Sequence, residues 1–217
     1  MNLRGIKGLI YAASVLTVFT VGVSTGVQPA TAATASGTTF GSVDVQKVLA
    51  GYSKKGALDA EVQDLTKHLD DAFKIQASSP MLSHDQQVQL GTLLQKTGPS
   101  DAELAQITAL EASSKKDSDD LAALQTSKTL SDADKAKLDT LTKQQQLGQQ
   151  TLQDIASSYR DQVQAQNEKL SGEMSDVIKA TIADVAKKKG LDVVFDSQVA
   201  IYTANDITTD VLAKLNK

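Results

Sequence analysis

The chain has 217 residues, of which 41% are hydrophobic, 22% charged and only 4% aromatic, with no tryptophan and no cysteine. This composition excludes a polytopic membrane protein, a low-hydrophobicity disordered chain, a disulfide framework, thiol catalysis and Cys-ligated metal sites. The abundance of Ala, Leu, Gln, Lys, Asp, Ser and Thr, with only three prolines, is that of long solvated helices.

Residues 1–35 read as an export signal. Arg4 and Lys7 precede an uncharged apolar stretch from Leu9 to about Val23. Ala30-Thr31-Ala32 and Ala33-Thr34-Ala35 then offer small-residue cleavage sites. The alternative is an uncleaved anchor, which Gly22, Ser24, Thr25 and Gly26 disfavour. Without this segment, 22 Lys+Arg less Arg4 and Lys7 leaves 20 against 26 Asp+Glu, a net charge of −6. An acidic chain with no basic stripe is a poor partner for nucleic acid, whose binding depends on phosphate neutralisation.

Residues 36–53 are expected to form a strand and a turn. Thr38 to Val45 has strand composition, and Asp44 is placed to cap a short helix through Leu49. From Leu58 the apolar residues Leu58, Val62, Leu65, Leu69 and Ala72, followed by Gln76, are spaced 4, 3, 4, 3, 4. Such a near-heptad seam keeps one face against a partner helix. The helical region 54–189 carries interruptions near 78–83, 97–100 and 127–131. Pro80 ends the first helix. Ser83 with Gln86, and Ser100 with Glu103, have capping-box spacing, and Ser131 is followed by Asp132 and Asp134. A return helix is predicted from Asp132 to Lys189, with Leu152, Ile155, Tyr159 and Leu170 on its seam, then Met174, Val177 and Val185. Gln145, Gln162 and Gln166 also fall on this stripe. Gly148 and Gly172 lie inside the helix as either tolerated surface glycines or bend points. Residues 54–77 are expected to pair with the near half of the return helix and 101–128 with its far half, with 83–96 an extra helix near the tip.

Gly190 has the C′ position, and the period then switches. Val193 and Phe195 belong to one predicted strand, and Val199, Ala200, Ile201 and Tyr202 to a second. Asn205 or Asp206 caps a last amphipathic helix carrying Ile207, Val211, Leu212 and Leu215. Four of the six aromatics beyond residue 35 lie in the two end pieces, so 36–53 and 190–217 are expected to form one small β-containing hub. Phe40, Val43, Val45, Val193, Phe195, Val199, Ile201 and Tyr202 are its expected core and assembly residues. The fold class is thus mainly α with a small β hub and a long helical-hairpin arm. A three-stranded patch would have open edges, which copies of the chain would close, so a homo-oligomer is expected.

No catalytic constellation assembles, and no phosphate loop, dinucleotide fingerprint or nucleophile elbow is present. The chain reads as a non-enzyme with no cofactor and no metal. Asp64, His68 and Asp71 share a helical face, and Asp117, Asp119 and Asp120 form an acidic run. The first reads as a solvated face, and the second lacks the glycine and terminal glutamate of a calcium loop.

Two blocks carry a family resemblance. They are Gly41-Ser42-Val43-Asp44-Val45-Gln46-Lys47-Val48-Leu49 and the stretch from Gly190 through Tyr202 to Asp206-Ile207-Thr208-Thr209-Asp210-Val211-Leu212. In this order, separated by heptads, they resemble the Skp/OmpH family of periplasmic chaperones. The resemblance implies a homotrimer whose hub is a β-barrel-like core completed by three subunits, with arms enclosing unfolded envelope or outer-membrane proteins in a cavity. It also implies ATP-independent holding, and periplasmic location with no stable membrane anchor after signal cleavage. Residues 78–130 hold four lysines against seven acids, whereas the basic arms of well-known members attract acidic clients. The resemblance therefore does not extend to electrostatic capture. A structural coiled-coil spacer or adaptor of the envelope is the alternative function.

Overall fold

The structure, a computed structural model, describes residues 37–200 and 202–217. The expected export signal, 1–35, lies outside the described residues, as does Ile201. Among the described residues there are six helices and two strands. In order these are β1 (Phe40–Val43), α1 (Val45–Gly51), α2 (Lys55–Ala77), α3 (His84–Leu94), α4 (Asp101–Thr126), α5 (Asp132–Lys188), β2 (Val193–Asp196) and α6 (Thr208–Leu215).

The hub joins sequence-distant pieces. β1 and β2 pair in parallel, with Phe40 opposite Val193 and Val43 opposite Asp196. Parallel pairing needs a long crossover, and here the whole arm is the crossover. Thr39 locks the register: its N–H and hydroxyl donate to Asp192 Oδ2 at 2.7 and 2.9 Å. The other edge of β1 is taken by residues 205–207. Ser42 bridges Asp206 in parallel, Ser42 N–H donates to Asn205 O at 2.8 Å, and Ile207 N–H donates to Ser42 O at 2.8 Å.

The predicted second C-terminal strand is corrected by this arrangement. Ser197–Val199 is a turn closed on Asp196 O, and neither Ala200 nor Tyr202 is in a strand. The outer edge of β2 stays open, because after the turn the chain crosses to the far side of β1, where 205–207 bonds Ser42. The expected three-stranded patch is therefore a two-stranded sheet plus one bridge. The capping site of α6 also moves by a residue. Ile207 holds the N-cap position, while Asp206 Oδ1 accepts from the Thr208 N–H at 2.9 Å.

The hub core consists of Val43, Val48, Ile178, Val185, Ala186, Ile207 and Val211. Val45 packs partly buried against it. Other expected hub residues are not interior in the single chain: Phe40, Val193 and Phe195 are roughly half exposed, Val199 is 77% and Tyr202 85% exposed. Val177, expected on the return-helix stripe, is 45% exposed, and Ile178 is buried instead. The α-helix repeats every 3.6 residues, so a strict 3.5 count drifts off the seam over several turns.

Helix limits follow local chemistry. Asp44 accepts from Lys47 N–H at 2.9 Å. Ser83, Ser100 and Ser131 each form a reciprocal capping box, the last with Asp134 as its N3 acid. Each box satisfies two backbone donors that the helix start leaves orphaned. Gly190 has φ +66°, the left-handed conformation in which glycine ends a helix without strain. α5 has 57 residues, about 85 Å at ~1.5 Å per residue.

Candidate functional site

Two surfaces carry the chemistry, one on the hub and one along the arm. On the hub, the outward face of the sheet bears Phe40 and Phe195, stacked with ring centroids 5.9 Å apart at 27°. They border a groove of about 660 Å³ whose lining includes Val199, Ala200, Tyr202 and Asn205. The opposite sheet face buries Val43 on the hub core, so alternation along β1 and β2 leaves this apolar face uncovered. Asn205 Nδ2 donates to Phe40 O at 3.0 Å and holds the groove's rim to β1.

Along the arm, α2 runs antiparallel to the near half of α5: Glu61 accepts from Gln166 at 2.7 Å, and Gln76 Oε1 accepts from Tyr159 hydroxyl at 2.8 Å. The seam residues Leu69, Tyr159 and Leu170 are buried. Leu58, Val62, Leu65, Leu152 and Ile155 are partly buried. Leu69, Ala72 and Tyr159 form one apolar cluster, flanked by Leu65, Phe73, Leu94, Ile155 and Val163. Met81, Leu121 and Leu141 form a second, towards the turn between α4 and α5.

Between the clusters lies a polar layer. Gln76 Nε2 donates to Gln87 O at 2.8 Å, and Gln87 Nε2 to Ser79 O at 2.7 Å. Met81 N–H donates to Ser114 Oγ at 3.1 Å, and Gln144 Nε2 donates to Met81 O. Burial pushes the Tyr159 hydroxyl above its ordinary pKa, so it stays a neutral donor. The glutamines at seam positions thus diverge: Gln76 is buried and satisfied, Gln166 is bonded to Glu61, and Gln162 is exposed.

Two expectations about the arm are corrected here. Gly148 is not a surface glycine; it is buried against the Ser79–Pro80 turn, and an added Cβ would lie 1.9 Å from Pro80 O. Gly172 has open space around it. Helix α3 does not lie near the tip. Its Leu94 joins the Tyr159 cluster, about 40 Å along α5 from Asp132 at ~1.5 Å per residue. Packing explains this: Leu94 packs against the Leu69–Ala72–Tyr159 cluster, and Leu90 and Leu93 are buried.

The candidate metal residues do not converge. Asp71 bonds Lys74 at 2.7 Å, which lowers its pKa, and His68 is exposed. Asp119 pairs with Lys115, and Asp120 with Lys116 and Lys137. Among the described residues no group of three His, Asp or Glu side chains could hold a metal ion, and no helix is long and apolar enough to cross a membrane.

Residues 39–215 match the family described as OmpH: Outer membrane protein (OmpH-like). The chain belongs to the OmpH-like family. The match spans both hub pieces and the arm between them. This is a periplasmic, chaperone-type family rather than an enzyme family, and its members bind unfolded outer-membrane proteins. No curated protein and no solved structure matches the chain.

The hub groove and the burial of Gln87 were missed by sequence reasoning for different reasons, whereas Gln76 already fell on the seam. The groove depends on β1 being filled on its second edge by 205–207. The glutamine layer depends on α3 folding back on α2. Ile178 was findable, since Met174, Ile178, Ile182 and Val185 keep 4-4-3 spacing.

Proposed function

We propose that this chain is an ATP-independent holdase of the periplasm. It assembles through its hub as a homotrimer and holds unfolded envelope or outer-membrane proteins between its arms. The observation that carries this reading is the hub's uncovered apolar face beside a long paired-helix arm. Phe40, Val193, Phe195, Val199 and Tyr202 gather on or near one sheet face that the chain itself does not cover. A soluble chain rarely leaves such a patch bare, and neighbouring copies would bury it. Ile201 is proposed to join that interface.

The holding step follows from general physics. An unfolded β-barrel exposes strands that would pair and aggregate. Several arms offer many weak contacts that shield it without folding it. Half-exposed Val88, Leu104 and Leu147 on α3, α4 and α5 supply apolar contact on an otherwise charged arm. Release then needs only a competing sink for the client, not nucleotide hydrolysis.

The test joins assembly to activity. Light scattering on the chain freed of residues 1–35 should give three times the subunit mass. Paired Phe195→Asp and Tyr202→Lys should reduce it to one. The parent should suppress aggregation of a urea-denatured outer-membrane β-barrel at stoichiometric ratios, and the monomeric variant should do so far less. A parent that ignores denatured barrels but binds one native envelope protein would favour a spacer or adaptor instead.

A further inference from the structure

The arm carries a helix that a simple two-helix hairpin does not need. α3 folds back against α2, α4 and α5 and buries Gln87, Leu90, Gly91 and Leu93. Its seat is imperfect. Gln87 is fully buried, and its Oε1 has no hydrogen-bond partner. A buried acceptor left unpaired loses its water without compensation, so opening the seat recovers hydration. Gly91 is confined as well: a Cβ there would lie 2.9 Å from Gln76 Nε2 and 3.1 Å from Tyr159 hydroxyl.

The next segment is lightly attached. α4 buries no residue before Ser114, and its Leu104 is 48% exposed. Both helices are locally self-sufficient, because Ser83 and Ser100 complete their own capping boxes. Between them Gly98 takes φ +70° ahead of Pro99. Behind them α5 is one continuous helix. Segments with few buried apolar contacts open ahead of the rest of a structure.

We propose that residues 84–113 form a displaceable strap over the arm's apolar groove and compete with unfolded client segments for it. Opening the strap withdraws Leu94 from the Leu69–Ala72–Tyr159 cluster and Gly91 from beside the Tyr159 hydroxyl, while α2 and α5 remain paired. The seat offers apolar surface edged by the Gln76 amide and the Tyr159 hydroxyl. That suits an apolar segment carrying an occasional polar side chain, which is also what α3 presents. The competition rests on the holdase reading; the opening of the strap does not.

Hydrogen exchange with mass spectrometry on the full chain separates the two. In the unloaded protein, peptides within 84–113 should exchange at least about ten-fold faster than those in 55–77 and 150–170. Equal protection overturns the strap. Loading with a urea-denatured eight-stranded outer-membrane β-barrel should speed exchange in 84–113 further and slow it at 69–73 and 155–159. Protection of 84–113 by the barrel overturns the competition. Ser100→Ala removes an exposed cap and should fold; it should speed exchange at the start of α4 roughly five-fold. The same variant should bind the barrel several-fold more tightly, and unchanged or weaker binding counts against the strap as a competitor. If the parent chain binds no denatured barrel, the holdase reading and the competition both fall, and unloaded exchange still decides whether the strap opens.

Discussion

Two glycines in one helix should respond to the same substitution with opposite signs. Gly172 in α5 has nothing within 4 Å of a built Cβ, so Gly172→Ala should stabilise the chain by about 1 kcal/mol through helix propensity. Gly148→Ala has the same propensity gain but a backbone obstacle. Its Cβ would lie 1.9 Å from Pro80 O and 3.0 Å from Pro80 C, where ordinary contact begins at 3.4 Å. The Ser79–Pro80 turn must therefore retreat by about 1.5 Å. That turn also holds the Gln87 bond to Ser79 O, and the adjoining Met81 O accepts from Gln144. A clash with backbone falls in the upper part of the overpacking range, about 2–3 kcal/mol, so against the propensity gain of about 1 kcal/mol Gly148→Ala should show a net loss of about 1–2 kcal/mol. The two variants should then differ by about 2–3 kcal/mol in urea unfolding followed by circular dichroism at constant protein concentration. A Gly148→Ala chain as stable as Gly172→Ala would refute the close approach of α5 to the Pro80 turn.

Tyr159→Phe should cost about 1–2 kcal/mol in the same assay, because Gln76 Oε1 loses its buried donor; unchanged stability would mean water replaces the hydroxyl. Ile207→Ala should cost about 2–5 kcal/mol and lower the oligomer mass together with the melting temperature, since Ile207 is fully buried in the hub core. The helix starts should be acid-sensitive. Glu103 is held at about 2, against an ordinary 4.5, by a hydrogen bond from Lys96 and then by the Ser100 N–H and hydroxyl. A depressed carboxyl contributes stability that is whole above pH 4.5 and is lost as pH falls towards about 2. Asp134 is lowered in the same sense by the Ser131 hydroxyl and N–H. An NMR carboxyl titration of Glu103 with its midpoint near 4.5 would show that the cap is not formed in solution.

The helical character, the three capped restarts and the two hub pieces were legible in the sequence because each is a local signal. A serine three residues before a carboxylate or amide satisfies orphan N–H groups wherever the chain then goes. A heptad of Leu and Val requires a facing partner whichever helix supplies it. Family membership was legible too, since Gly41–Leu49 and Gly190–Leu212 are contiguous blocks. The tertiary structure alone decided which edge of β1 is filled. Sequence gives 199–202 strand composition, but the folded path leaves the outer edge of β2 open and places 205–207 on the second edge of β1. It also decided the fate of α3, whose periodicity tells that it buries one face but not against what. Gly148 shows the same division: its missing side chain is visible in the sequence, but the carbonyl that requires its absence arrives from a turn 68 residues earlier in the chain, and only the folded path brings the two together.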